Sequence, residues 1–216
     1  MTTFPGSPKL LNGGLVLLDP GSGAVQRVIA LQYNPESLRR TLAVQGVGEG
    51  GDRSEALRLT GPPVETITVE AEIDATDQLE AGDGTAAETG LLVQLAALET
   101  VIYPESAQIR ANEERATAGT LEIVPMQAPL TLFVWSKSRV MPVRITDFQV
   151  TEEAFDPSLH PIRAKVSLTL RVLSVDDLGF THKGGSLYLT YQQAKERLAG
   201  KAPAAVLGQL GLEGIP

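Results

Sequence analysis

The feature that most constrains the fold is a regular alternation of apolar and polar side chains over residues 162–172. One parity is apolar: Ile162, Ala164, Val166, Leu168, Leu170 and Val172. The other is polar: Arg163, Lys165, Ser167, Thr169 and Arg171. Successive side chains of a strand point to opposite faces, so the pattern predicts a long strand with one solvated face. We expect it to pair antiparallel and to bury Val166, Leu168 and Leu170, as in an antiparallel sheet or barrel and unlike a doubly wound parallel sheet.

The amino-acid composition argues against several classes of function. The 216 residues suffice for one sizeable domain, with or without an extension, and 43% hydrophobic with 20% charged residues is typical of a globular chain. A net charge of −8 disfavours nucleic acid as a partner, because phosphate binding depends on clustered lysine and arginine. The chain has no cysteine, which excludes disulfides, thiol nucleophiles and thiolate metal sites.

The location expected from the sequence is the cytoplasm. The first residues form neither a basic nor an apolar segment of the kind that directs secretion. No apolar run approaches the roughly 18 residues that a membrane-spanning helix needs, so we expect no membrane insertion.

Most of the chain is predicted to form strands. A hairpin is expected from residues 15–18 and 25–33, followed by strands over 38–44, 67–73, 130–135, 140–150 and 162–172. Leucines at helical spacing predict one helix near residues 88–102, which Pro104 ends, and a short helix is expected over 187–198. Residues 74–84 and 111–119 are predicted to be loops. The fold class is therefore mainly β or α+β, a barrel or sandwich with an embedded helix.

Two parts of the chain are distinguished. Residues 1–176 carry the predicted β domain, and residues 177–216 form a C-terminal extension with a short helix and a tail rich in glycine, alanine and proline. We expect the segment 74–85 and the tail after Lys201 to become ordered only on contact with neighbours, because neither has enough apolar residues to pack alone.

One apparent cofactor motif is present. Residues 46–51 fit the G-x-G-x-x-G pattern of dinucleotide-binding loops. That fingerprint needs a helix directly after it, because the pyrophosphate sits on the helix N-terminus. Here barely two turns of sequence follow before Gly61 and Pro62, and the next periodic element is a strand. A loop without cofactor is the favoured interpretation.

The other candidate metal and catalytic sites have little support in the sequence. The carboxylates Asp74, Asp77, Glu80 and Asp83 lack the alternating ligands and central glycine of a calcium loop. His160 and His182 are not spaced as a metal pair, and structural or surface roles are expected for both. No serine lies in a nucleophile elbow, and the aromatic pair Phe133 and Trp135 is more typical of a core. We therefore expect no catalytic residues, no cofactor and no metal.

The cations of the long strand are the remaining candidates. Arg163, Lys165 and Arg171 share its polar face, which is either an ordinary solvated face or a surface that meets an acidic neighbouring subunit. On the second interpretation these three residues, together with Asp74 and Asp77, are predicted to lie in a subunit interface.

A series of landmarks over residues 10–175 resembles the tube-type proteins of contractile injection systems, the phage-tail-like particles of bacteria. The motifs that carry the resemblance occur in the family's order. They are Tyr33-Asn34-Pro35-Glu36-Ser37, Gly61-Pro62-Pro63 before the strand reaching Asp74, a helix closing on Tyr103-Pro104, a strand from Pro129 to Trp135, and Phe155 followed by His160-Pro161-Ile162-Arg163-Ala164. The likeness is to the adaptor group at the base of the inner tube.

The resemblance implies a tube-type antiparallel β-barrel with one flanking α-helix, assembled as a ring around a channel and sixfold in the family. The ring joins the spike or hub of the baseplate to the inner tube, so the implied partners are copies of itself, the spike or hub, the tube protein and other baseplate proteins. Many relatives carry a C-terminal LysM module. The residues after Val175 do not match its pattern, so peptidoglycan binding is not expected here.

Three alternatives remain open. The first is a tube terminator or cap adaptor at the other end of the same particle. The second is a free-standing β-sandwich that binds carbohydrate or another ligand, although the ten aromatic residues are spread along the chain. An enzyme is the least favoured, because no acid/base pair at meaningful spacing can be named.

Overall fold

The computed structural model describes residues 11–46, 57–119, 128–203 and 207–215. Seven antiparallel strands form one sheet. Their bounds are β1 Gly14–Leu18, β2 Val25–Ala30, β3 Leu38–Ala43, β4 Val64–Asp74, β5 Leu130–Ser136, β6 Arg139–Phe155 and β7 Pro161–Val172. The predicted class, mainly β with α-helices, is confirmed.

The strand order is β2-β1-β5-β6-β7-β4-β3. The long strand β6 pairs with a different neighbour along each part of its length. Its first residues pair with β5 as far as Val143, and the residues from Val143 to Phe155 pair with β7. A register shift between Ile145 and Asp147 accompanies this change of partner. The sheet therefore has two four-stranded halves that share β6, and we call β3-β4-β7-β6 the second half.

The facial assignment of β7 is confirmed. Ala164, Val166, Leu168, Leu170 and Val172 are all buried, and β7 pairs antiparallel with both β4 and β6. Three inward residues of β4, Ile67, Val69 and Ile73, belong to the same core cluster, as do Leu91, Leu95 and Leu98. Strands β1 and β5 are instead buried on both faces, since Leu18, Leu130 and Leu132 form a smaller cluster against Leu178 and Leu187.

The helices exceed the prediction in number. They are α1 Thr76–Glu80, α2 Gly84–Thr89, α3 Leu92–Glu99, α4 Ser106–Thr117, α5 Val175–Leu178 and α6 Lys183–Ala199, with a 3-10 turn over Leu207–Leu210. The expected helix near residues 88–102 is α3, preceded by the separate α2 because Gly90 interrupts the run with a positive φ of 55°. The short C-terminal helix is α6, whose Tyr188 and Tyr191 join the main core.

Two predicted loops are helical instead. The segment 74–84 contains α1, and the segment 111–119 lies largely in α4. No residue of α4 is buried, so it lacks the apolar stripe on which the sequence interpretation relied. Its glutamine, arginine, glutamate and alanine residues favour a helix by intrinsic propensity alone.

The predicted barrel is not closed. Among the described residues β2 pairs only with β1 and β3 only with β4, so the sheet ends at these two strands. None of the residues of β2 or β3 is buried, although Ile29 and Leu38 pack partly against the core. The described residues thus form an open, seven-stranded sheet of the α+β class.

Candidate functional site

The outward face of the second half is polar over most of its strand pairing, with apolar pairs at the two ends, Ala43 with Val64 and Phe155 with Pro161. We call this face the polar wall. The register places these outward residues side by side: Arg39 and Thr41 on β3; Thr66, Thr68, Glu70, Glu72 and Asp74 on β4; Arg163, Lys165, Ser167, Thr169 and Arg171 on β7; Arg144, Asp147, Gln149, Thr151 and Glu153 on β6. Five of these side chains are acidic and five are basic. The wall is therefore hydrophilic and nearly charge-balanced.

Each predicted interface cation on β7 has a carboxylate partner within the chain. Arg163 Nε donates to Asp74 Oδ2 at 3.0 Å, and Lys165 Nζ donates to Glu153 Oε1 at 3.1 Å. Pairs this exposed contribute little to stability. The role of these cations in a subunit interface stays a prediction, and any neighbour would meet pairs that are already neutralised.

Arg171 is held more firmly. Its Nη2 donates to Asp177 Oδ1 at 2.7 Å. Asp177 in turn accepts from the backbone N–H of Ser174 and completes the capping box of α5. Arg171 therefore links the polar wall to the start of α5.

The two predicted acidic residues take different places. Asp74 ends β4 and accepts hydrogen bonds from the side chain and backbone of Thr76, and then from Arg163. These bonds hold its pKa below the ordinary value, with the Thr76 hydroxyl as the largest cause. Asp77 lies exposed in the first turn of α1, where a negative charge favours the helix dipole. Both positions have a local structural explanation.

The second half has two free edges. From residue 145 onward, β6 has β7 on one side and no described strand on the other. Strand β3 is likewise paired on one side only, with β4. Unpaired edges present rows of N–H and C=O groups that can accept a further strand. These edges are the strongest candidate for a functional surface in the described part of the chain.

The two edges match in direction. Each neighbouring pair within the second half is antiparallel, so β3 also runs antiparallel to β6. If a second copy is placed beside the first in the same orientation, its β3 meets the free edge of β6 as an antiparallel neighbour. The edges could therefore join copies head to tail.

The edges also match in register. Arg39 lies in one cross-strand row with Thr68, Thr169 and Asp147. In an unstaggered joint, Arg39 of one copy would lie opposite Asp147 of the next. The adjacent row runs from Leu38 through Val69 and Leu168 to Phe148 on the inward face. A joint would therefore pair opposite charges on the wall and apolar side chains on the core side.

The exposure of these residues suits such a joint. Leu38 and Phe148 are only partly buried within one copy, although both pack against the core. Arg39 is exposed and makes no hydrogen bond or ion pair with any described residue. Among the described residues, Asp147 accepts a side-chain hydrogen bond only from Gln149, at 3.1 Å. The sequence predicts strands over residues 38–44 and 140–150 but does not show which strands lack neighbours, so neither Arg39 nor Asp147 can be identified from it as an edge residue.

The remaining sequence candidates have structural roles. His160 Nδ1 lies 2.9 Å from Asp156 Oδ2 in the β6–β7 turn, and His182 caps α6 by accepting from the Gly184 N–H. Asp83 caps α2. Phe133 is buried and stacks on Trp135 with ring centroids 5.9 Å apart. Most of the G-x-G-x-x-G segment lies outside the described residues, and Gly46 forms an isolated bridge with Leu59.

No protein-family model and no curated protein matches the chain. In the described ranges, no group of three or more histidine or acidic side chains is arranged to hold a metal ion. No helix there is long and apolar enough to cross a membrane.

Proposed function

We propose that the protein is a structural, ring-forming adaptor of a contractile injection system and not an enzyme. In this role it joins the spike or hub of the baseplate to the inner tube. The observation that carries the proposal is the complementary pair of free edges on β3 and β6, with Arg39 and Asp147 in one row. The order of motifs that resembles tube-type proteins supplies the biological setting.

A joint between β6 of one copy and β3 of the next is heterologous, because two different surfaces meet. Such a contact closes into a ring when the rotation per copy divides a full turn. Strand addition of this kind gains affinity from main-chain hydrogen bonds and needs no catalytic residue. It would also cover the edges that are a liability in an isolated copy.

The polar wall supports the same proposal. In a ring joined through these edges, the second halves of successive copies form one continuous sheet. If the polar wall faces the central channel of the ring, this sheet becomes a tube-type barrel whose channel lining is hydrophilic and nearly charge-balanced. The opposite, apolar face of each second half stays packed against the core of its own copy.

Exchanging the charges of Arg39 and Asp147 tests the proposed contact between copies. Arg39→Asp alone and Asp147→Arg alone each place like charges opposite one another, so we expect sedimentation velocity to show loss of the oligomer. The double variant restores an opposite pair and should restore assembly. Glu113→Arg, on the exposed face of α4, changes the net charge as much as Asp147→Arg and should leave assembly intact. A wild-type chain that stays monomeric at high concentration would overturn the proposed self-association.

The particle itself distinguishes the two ends of the tube. We expect electron cryomicroscopy of a phage-tail-like particle to place the ring between spike and tube. Density at the opposite end would instead favour the terminator or cap adaptor. Particles that assemble normally in a strain lacking this chain would contradict both.

A further inference from the structure

A buried carboxylate connects the free edge strand β3 to the C-terminal helix α6. Glu65 on β4 is only 3% exposed. Its Oε1 accepts from Arg40 Nε at 2.7 Å, and its Oε2 accepts from Lys195 Nζ at 3.0 Å. The Tyr191 hydroxyl donates to Oε1 at 3.0 Å. We call Arg40, Glu65, Tyr191 and Lys195 the Glu65 cluster.

The cluster is closed by contacts among its outer members. Arg40 Nη2 donates to the Tyr191 hydroxyl at 3.1 Å, and Lys195 Nζ lies 4.0 Å from the centre of the Tyr191 ring. Arg40 belongs to β3, Glu65 to β4, and Tyr191 and Lys195 to α6. Breaking one member of such a network leaves the buried charge short of partners. The positions of β3 and α6 are thereby coupled.

Strand β3 has few other attachments. Among the described strands it pairs only with β4, and none of its residues is buried. Within the described part of the chain, Arg40 makes all of the side-chain hydrogen bonds that β3 contributes. The order of this edge strand therefore depends on the ladder with β4, on the partial packing of Leu38 and on the Glu65 cluster.

We propose that α6 positions the β3 edge through the Glu65 cluster, so that losing the contacts of Tyr191 and Lys195 to Glu65 weakens pairing between copies. Tyr191 and Lys195 are positioning residues, because they act on the edge through Glu65 and Arg40. The inference rests on the proposed function for its consequence, since it names the regulation of the same edge. The coupling itself can be measured in a single copy.

The chain offers a matched control for the test. Tyr188 lies on the same helix, three residues before Tyr191, and is also buried. Its hydroxyl makes no hydrogen bond to a described residue. Tyr191→Phe removes the bond to Glu65, whereas Tyr188→Phe makes the same chemical change without that loss.

The experiment is amide hydrogen exchange on the full chain at a concentration where it is monomeric. We expect Tyr191→Phe to speed exchange of those β3 amides that bond to β4 by about 10- to 100-fold, the range expected for losing a hydrogen bond to a charged group. Exchange in β5 and in the first residues of β6 should be unchanged, and Tyr188→Phe should match the wild type. Equal acceleration in all strands, or no acceleration in β3, would overturn the coupling.

Sedimentation at higher concentration then tests the consequence. In the double variant Tyr191→Phe with Lys195→Met, we expect self-association to weaken severalfold, because a smaller fraction of molecules holds the edge ready to pair. Association equal to that of the wild type would overturn the proposed effect of the Glu65 cluster on pairing between copies. A wild-type chain that never associates would remove the proposed function, while the exchange measurement would still decide whether α6 positions β3.

Discussion

The side chain of Gln32 bonds to both backbone groups of Asp74. Its Nε2 donates to the Asp74 carbonyl at 2.7 Å, and its Oε1 accepts from the Asp74 N–H at 2.9 Å. Asp74 ends β4 beyond the stretch that pairs with β3, which stops at Val69. The Gln32 amide therefore occupies the place of a missing strand and holds the segment between β2 and β3 against the end of β4.

Replacing this amide should loosen the junction. We expect Gln32→Ala to lower the free energy of unfolding by about 1–3 kcal/mol, because two hydrogen bonds to backbone groups are lost. The measurement is the urea midpoint with an unchanged m-value. Gln149→Ala, on the polar wall, loses only an exposed bond to Asp147 and should shift the midpoint far less. Equal shifts would contradict a structural role for Gln32.

The facial assignment of β7 predicts opposite tolerance at adjacent positions. Leu168 is 1% exposed, so Leu168→Asp buries an unpaired charge, and we expect the fold to be lost. Thr169 is part of the polar wall, and Thr169→Asp should cost less than about 1 kcal/mol. Circular dichroism and thermal melting measure both. Similar losses at the two positions would refute the assignment.

The turn between β6 and β7 holds a leucine in an unfavourable backbone conformation. Leu159 has a φ of 67° and is 78% exposed. A leucine is strained in this left-handed region because its Cβ approaches the following carbonyl oxygen, whereas asparagine tolerates the region better. We expect Leu159→Asn to raise the free energy of unfolding by about 0.5–1 kcal/mol, seen as a higher melting temperature. Leu198→Asn, at an exposed helical position, should give no such gain.

Glu65 predicts a specific dependence on pH. Burial raises the pKa of this carboxyl, but hydrogen bonds from Lys195 and Arg40 outweigh burial and leave the pKa below its ordinary value. A lowered pKa contributes stability that is present above the unfolded value, about 4.3, and is lost as the pH falls through the folded value. We expect wild-type stability to fall more steeply below about pH 4.3 than that of Glu65→Gln.

The same variant supplies the control at neutral pH. There Glu65→Gln should be the less stable protein, because Arg40 and Lys195 lose their ionised partner. Chemical unfolding at pH values between about 3 and 7 would measure the free energy of unfolding of both proteins. The two dependences on pH are expected to diverge in slope below about pH 4.3. Parallel curves would mean that Glu65 does not titrate differently on folding.

The strands of the sheet were largely predictable because each one carries its own pattern. The alternation along β7 determines which residues are buried, whatever strands lie beside it. The helix α4 and the short α1 were missed for the converse reason, since neither has a buried apolar face that would leave a periodic signal. Their formation depends on propensity and capping, which act without hydrophobic periodicity.

The sequence by itself determined the α+β class, the polar face of β7 and the lack of cysteine chemistry, because these depend on residue type and on local periodicity. Only the tertiary structure decided which strands end the sheet, that Arg39 and Asp147 share a row, and that Arg40 and Tyr191 meet at Glu65. Strand order and register are set by contacts between residues far apart along the chain. No local pattern encodes them, so the free edges and the Glu65 cluster became visible only once the chain was folded.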